Sequence, residues 1–430
     1  MQNSKKDSAG KLIVLGIQHV FAMFGATVLV PALTGLSPST ALLCAGLGTL
    51  LFHLITGRKV PVYLGSSFAF IAAIVAVARK FALPTADGLP AAIGSAEYMA
   101  GLPYATGGIF VAGALYVVLA ILVKIFGADR IRSFFPPVVT GPMVVIIGMM
   151  LAPTAISSIT TEIAGVSLGV NWLIALVTIL AIIGVTLWAK GFFKLVPILF
   201  GIVAGYVLSA ILTACGIPVV DFAPVAKADF FQMPNLFLPK FDLSAIMMIA
   251  PIAIVTFVEH IGDITANGAV VGKDFFKDPG LDRTLLGDGL ATMLAGLMGG
   301  PTNTTYGENT GVLAATKNYN PVTLEIAAVF AIGLAFLGKL GAILQTLPGP
   351  VMGAVSVVLF GMIAAVGLRT LVENQVDFKR SRNLLIVSVM LVFGLGGASI
   401  SIGSISFSGT ALAAILGIIL NKVLPDPIDC

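Results

Sequence analysis

Long apolar runs alternate with short polar links along the whole chain of 430 residues. A run of about 17–25 apolar residues is what a helix needs to cross the hydrocarbon of a bilayer. The spacing predicts fourteen such segments, at 11–34, 39–56, 60–78, 104–126, 134–153, 171–190, 192–214, 244–272, 284–298, 301–317, 322–340, 348–366, 382–397 and 405–423. Two of them break the pattern. The third contains PVYLGSSFAF and the tenth contains GGPTNTTYGENTG, where Gly, Pro, amide and hydroxyl residues interrupt the apolar run. Each reads as a short extended piece that turns into a helix start, because irregular backbone at membrane depth is tolerated only inside protein or against a cavity. The polar N-terminus, MQNSKKDSAGK, shows no small-residue cleavage site and is expected to lead straight into the first span.

Composition sharpens the class. The chain is 58% hydrophobic and 10% charged, with a mean hydropathy of +1.05. A soluble domain with so few charges would expose large apolar patches, so a polytopic, all-α membrane protein is expected. The basic residues then test the span count, since Lys and Arg concentrate in cytoplasmic links. With the N-terminus inside, 19 of the 24 basic residues fall in inside links, among them Lys5, Lys6, Lys11, Arg58, Lys59, Arg132, Lys273 and Arg380. Arg79, Lys80, Lys227, Lys240 and Lys339 fall outside. Both termini are therefore expected in the cytoplasm. No clustered basic face suits a nucleic acid. Cys44, Cys215 and Cys430 are scattered without metal or disulfide spacing. An intramembrane enzyme would need a set such as HExxH, an Asp-rich pair or a Ser/Lys dyad, and the sequence has none.

Three short matches point to an internal repeat. Gln18-His19 and Glu259-His260 lie 241 positions apart, Pro61 and Pro301 lie 240 apart, and PPVVTG at Pro136 and PGPVMG at Pro348 lie 212 apart. The drop in offset matches the long link 79–103, which the second half lacks. Seven spans per half would bring the second copy in from the opposite side, as transporters built from inverted repeats do.

Charged groups at membrane depth are costly and face a cavity or a partner. Glu259 and Asp263, at i and i+4, share one helical face, and Glu308 lies in the interrupted tenth span. Asp288 and Glu325, nearer span ends, and His53 read as structural, and at least one of His19 and His260 reads as a packing histidine. The two interrupted spans offer free first-turn N–H groups and positive dipole ends. Ionised carboxylates accept hydrogen bonds and backbone N–H groups donate them. A small, flat, neutral ligand with alternating N–H and carbonyl groups fits that set, with Phe68, Tyr306 and Phe24 available to cover its faces. A pyrimidinedione has this pattern, and so do other imides and ureides.

These residues resemble the nucleobase–cation symporter-2 family, also called nucleobase/ascorbate transporters, over nearly the whole chain. The resemblance rests on QHVFAMFGATVLVP (18–31), PVYLGSSFAFI (61–71), PTNTTYGEN (301–309) and the signature-like ENTGVLAATK (308–317). Glu308 at the head of that signature is similar to the bacterial uracil-carrying branch; purine carriers usually have Gln there. The resemblance implies a fourteen-span fold of two inverted seven-span repeats, with spans 3 and 10 part strand and part helix. It also implies a core domain (1–126 and 244–340) and a gate domain (127–243 and 341–430). By position, Glu259 and Glu308 would hold the ring N–H groups of uracil, and the amides of Phe68 and Gly307 its carbonyls, with Tyr306 and Ala26 lining the site. The implied activity is uptake of uracil with a proton across the bacterial cell membrane by alternating access. The proton would be the coupling ion, with no cofactor or metal, and two copies would pair through their gate domains. The alternatives are a carrier of the same fold for xanthine, another purine or an organic anion, and, remotely, an intramembrane enzyme. One position departs from the branch: its EHVGH is EHIGD here, so Asp263 replaces a histidine tied to proton coupling. A like-charge pair one turn apart favours a shared proton, which places Asp263, Glu259 and His260 as the coupling candidates.

Overall fold

The computed structural model describes residues 8–425 apart from 86–87, 129, 131–132, 399, 403–404 and 408. Lys5, Lys6, Arg132 and Cys430 lie outside the described residues. The chain opens with α1 (Ala9–Thr34), whose first turn is capped by the Ser8 hydroxyl, and which stops at Gly35 in the left-handed conformation. Ser37 caps α2 (Pro38–Ile55), with Pro38 in the first turn, where its missing N–H costs nothing. A three-residue strand, β1 (Leu64–Ser66), and a 3-10 turn at Phe68–Phe70 lead into α3 (Ile71–Lys80). Then follow α4 (Leu102–Phe126), α5 (Pro137–Met150), α6 (Ala152–Thr160), α7 (Leu168–Trp188) and α8 (Pro197–Ala214).

The second half repeats the device. Asp242 caps α9 (Leu243–Ile249), which runs through Ala250 and Pro251 into α10 (Ile252–Val271). After α11 (Leu281–Met298) comes β2 (Asn303–Thr305) and then α12 (Gly307–Thr316). The remainder is α13 (Pro321–Ala335), α14 (Gly338–Gln345), α15 (Gly349–Glu373), α16 (Ser381–Leu395), a hairpin of β3 (Ile400–Ile402) and β4 (Ile405–Phe407), and α17 (Gly409–Val423).

Among the described residues, eight helical stretches are long and apolar enough to cross a membrane, and α13, α16 and α17 are shorter apolar helices. The chain is thus a multi-pass membrane protein. The expected third and tenth segments are each part strand and part helix. Three segments expected to be continuous are divided. The fifth breaks at Leu151, just before Pro153; the eighth at Ala250-Pro251; and the eleventh ends at Ala335, with α14 separate. The fourteenth opens on β4. Proline removes a helical donor and clashes with the preceding turn, which accounts for the breaks at 151 and 251.

β1 and β2 pair antiparallel, with Leu64 opposite Thr305, Gly65 opposite Thr304 and Ser66 opposite Asn303. Around this pair, α4 lies along α11, α2 along α13 and α11, and α1 along α13. Elsewhere α15 lies along α5, α6 and α7, and α16 along α17 and α5. Small residues permit the closest approaches. A Cβ on Gly113 would come within 2.7 Å of the Gly289 carbonyl oxygen, so α4 and α11 meet backbone to backbone. The outward faces are apolar: Leu173, Leu176, Leu180 and Leu187 on α7 and Val203, Val207 and Ile211 on α8 are exposed. Both tryptophans of the chain, Trp172 and Trp188, are exposed at opposite ends of α7. Their spacing of about 24 Å along the helix suits the two interfaces of a bilayer.

Candidate functional site

The strand pair is held from both sides by hydroxyls. Thr49 of α2 accepts the Leu64 N–H at 2.9 Å, and Thr292 of α11 donates to the Asn303 carbonyl at 2.9 Å. Asn303 Nδ2 donates to the Cys44 carbonyl at 3.0 Å. The backbone continues the pairing at each end, with Tyr306 N–H to the Tyr63 carbonyl (3.0 Å) and Ser67 N–H to the Thr302 carbonyl (2.9 Å). Three-residue strands would be marginal alone. Here every residue of both is buried, so the pairing is the way these polar backbone groups are satisfied.

The tyrosine at the end of β2 locks the two halves. Tyr306 Oη donates to the Ser66 carbonyl at 2.9 Å and accepts from Thr27 Oγ1 at 3.3 Å. Its ring lies on Gly65, where a Cβ would come within 2.4 Å of ring carbons. Ser66 Oγ in turn donates to the Thr27 carbonyl of α1 at 3.2 Å. Ala26, Tyr63 and Tyr306 belong to one buried apolar cluster, with Phe24 and Phe68 packed against it. Phe68 also meets Phe360 of α15 edge to face at 6.2 Å. The structure therefore brings together all four aliphatic and aromatic residues expected at the site.

Past Tyr306, α12 starts without a capping side chain. Gly307 is exposed, and a Cβ there would meet nothing within 4 Å, so its backbone faces open space. Ser67, the matching residue of the first half, likewise caps nothing with its side chain, and its hydroxyl is buried without a partner. Glu308 follows in the first turn, where the helix dipole favours a negative charge. Glu259, Asp263 and Glu308 lie within electrostatic reach of one another, all partly accessible rather than sealed in the core.

The other polar candidates have different places. His260 Nε2 lies 3.0 Å from Thr284 Oγ1, and its Nδ1 lies 3.2 Å from Asp288 Oδ2, with both His260 and Asp288 fully buried between α10 and α11. Thr284 donates to the Leu281 carbonyl, which leaves its oxygen to receive the His260 Nε2–H. His260 thus turns to α11 while its neighbour Glu259 turns to the site. His19 accepts from Asn309 Nδ2 at 3.0 Å, tying α12 to α1. His53 Nε2 donates to the Val62 carbonyl at 2.8 Å, and Glu325 lies 3.4 Å from its Nδ1 and 2.8 Å from Arg58 Nε. These three secure the approach to β1. Among the described residues, no group of three His, Cys, Asp or Glu side chains is arranged to hold a metal.

Several residues with a part in the site were not singled out by sequence. Thr305 Oγ1 donates to Asp263 Oδ2 at 2.6 Å. Asn267, one turn beyond Asp263, donates to the Pro61 carbonyl at 2.9 Å and reaches Thr310 Oγ1 at 3.3 Å. Thr49 and Thr292 lie 243 positions apart, close to the repeat offset, and that spacing is the one signal that could have found them.

Buried strands, uncapped helix starts and a set of carboxylates thus meet within a multi-pass apolar bundle. The chain belongs to the Permease family represented by Xan_ur_permease, the nucleobase–cation symporter-2 family, whose model matches residues 10–402. It is 45% identical over 422 residues to the "Probable uracil permease" of Haemophilus influenzae, covering 98% of this chain and 96% of that one. It is 46% identical over 427 residues to the "Uracil permease" of Bacillus caldolyticus, covering 98% and 93%. Among solved structures it resembles SLC26A9 with a TM-score of 0.71 at 13% identity, over 97% of this chain; the chain spans 65% of that protein's length. It also resembles the transmembrane domain of the cyanobacterial bicarbonate transporter BicA, with a TM-score of 0.63 at 14% identity, over 95% and 97%. At such identities these two likenesses speak for the fold alone.

Proposed function

We propose that the protein takes up uracil together with a proton by alternating access in the bacterial cell membrane. The observation that carries this reading is the meeting of donors and acceptors at α12. The uncapped start of α12, with open space at Gly307, offers that residue's N–H beside the carboxylates of Glu308 and Glu259, against Tyr306, Phe68 and Ala26. Uracil presents ring N–H groups that carboxylates accept and carbonyls that backbone amides meet. The relatives named as uracil permeases support the same substrate.

In this reading the divided helices complete fourteen spans as two inverted repeats of seven, with both termini in the cytoplasm. Residues 1–126 and 244–340 form the core domain that carries the site, and residues 127–243 and 341–430 form the gate. Two copies pair through the gates. Asp263 and Glu259 share the coupling proton; His260, turned to Asp288, holds α10 in place beside them. No cofactor takes part. An organic anion, the alternative cargo for this fold, is disfavoured by three carboxylates at the site.

Radiolabelled uracil uptake in transport-deficient cells tests this, with xanthine and thymine as competitors and a protonophore as control. Accumulation that the protonophore collapses and xanthine leaves untouched is the expected outcome. Xanthine outcompeting uracil would sink the substrate assignment.

A further inference from the structure

The contact between Thr305 and Asp263 joins two parts of the site that have separate tasks. Thr305 closes β2 opposite Leu64, and only Tyr306 separates it from Gly307, the first residue of α12. The Tyr306 N–H is fixed to the Tyr63 carbonyl, so β2 passes any displacement of Thr305 to the start of α12. The 2.6 Å separation is that of a hydroxyl donating to a carboxylate. A charge-assisted bond of this kind is roughly twice as strong as its neutral counterpart.

The ionisable groups within electrostatic reach of Asp263 are all acids. Glu259 lies one turn earlier on α10, Glu308 faces it from α12, and Asp288 reaches it from α11, where His260 faces that carboxylate. From α4 the phenol of Tyr116 is within electrostatic reach. The strand β2, helix α5 and the turn at Phe68–Phe70 carry no ionisable side chain, and α17 carries only Lys422, over the Phe134 ring. A proton arriving at Asp263 turns an acceptor-only carboxylate into an acid with an O–H of its own. Thr305 then loses its charged acceptor, and its hydroxyl can accept where it had donated.

We propose that Thr305 is a positioning residue that carries the protonation state of Asp263 through β2 to the Gly307 amide. This rests on the reading above, in which Asp263 takes the coupling proton and Gly307 meets the substrate. The proton is thereby registered on both sides of the ligand. It is felt on the donor side through relief of Glu259, and on the acceptor side through the strand.

Thr305→Val, which keeps the shape and removes the hydroxyl, is compared with Thr305→Ser, which restores it, and with Asp263→Asn, each in the full-length protein. Two readouts are taken over about pH 5.5–8, the range in which coupling groups titrate. The first is uracil binding. Wild type and Thr305→Ser should change half-saturation by at least about threefold and Asp263→Asn by less than about 1.5-fold, while Thr305→Val, which keeps the Glu259 route and loses the strand route, should fall between them, as loss of one charge-assisted bond implies. The second is hydrogen exchange at the Tyr306 and Ser67 amides, corrected for intrinsic rates, which needs no substrate. Its protection should vary with pH in wild type and Thr305→Ser and stay flat in Thr305→Val. A Thr305→Val protein whose exchange retains the wild-type pH profile overturns the proposal. Failure of every variant and of wild type to bind uracil would instead defeat the substrate assignment, and the exchange readout would still decide the role of Thr305.

Discussion

Glu308 sits where three conditions coincide: a helix start without a capping side chain, an adjacent glycine facing open space, and two further carboxylates within electrostatic reach. Replacing it by Gln keeps the size but exchanges a charged acceptor for a neutral amide. Hydrogen bonds to charged groups contribute about 1.5–3 kcal/mol, so Glu308→Gln should weaken uracil binding by about 10- to 150-fold, read by calorimetry. Gly65 is a different kind of constraint. A methyl group there would enter the Tyr306 ring, so Gly65→Ala should cost about 1–3 kcal/mol of stability and lower the melting temperature. Residue types at the site were largely legible in the sequence. Glu259, Asp263 and Glu308 stood out because carboxylates are rare in apolar runs, and Tyr306 and Phe68 because they flank the interruptions. The role of Thr305 was not. TNTTY offers three threonines of equal chemistry, and only the register against Leu64 decides which one meets Asp263.

At the scale of elements, the two short strands depend on helices that are far away in sequence. Thr49 and Thr292 make corresponding contacts from α2 and α11: Thr292 donates to the Asn303 carbonyl, and Thr49 accepts the Leu64 N–H and adds a long 3.4 Å bond to the Leu64 carbonyl. Thr49→Val and Thr292→Val should therefore each cost about 1 kcal/mol and lower substrate affinity to a similar extent, measured by thermal unfolding and binding. A large effect from one and none from the other would show that the halves do not share the strand pair evenly. The interrupted spans were visible in sequence because Gly, Pro and hydroxyl residues cluster there. The break at Ala250-Pro251 was not, because MMIAPIAIV is apolar throughout and hydropathy is blind to a missing N–H. The loop that feeds β1 is likewise tied down at a distance, with Arg58 on Glu325 and Lys59 on Asp278. Its contacts come from α13 and the approach to α11, which no local pattern announces.

For the whole molecule, the chain crosses between the proposed core and gate three times, and two crossings are joined on the face where α1 ends. Gln232 N–H donates to the Phe336 carbonyl at 2.9 Å, Gly338 N–H to the Phe230 carbonyl at 3.0 Å, and Lys339 Nζ to the Val225 carbonyl at 2.7 Å. Thr40 at the start of α2 holds the first of these links through the Asn235 carbonyl at 2.8 Å. If the two links move as one body, bonding them covalently should leave transport intact. Phe231 and Leu337 form the bridge between them, and opposed residues of this type have Cα atoms about 4.5 Å apart, within disulfide reach. Phe231→Cys with Leu337→Cys, in a protein whose exposed Cys215 is replaced by Ser, should take up uracil equally well before and after oxidation. Uptake that stops on oxidation and returns on reduction would mean that the links part during the cycle. The strand pair, finally, sets a condition on how the protein is made. Leu64 waits for Thr305, about 240 residues later, and ribosomes add about 5–20 residues per second. For some 12–50 seconds of synthesis, at that rate, the first half holds a strand edge inside the membrane with its hydrogen-bonding groups unmatched. The insertion machinery, or a neighbouring helix serving as a stand-in, must shelter that edge until its partner is translated.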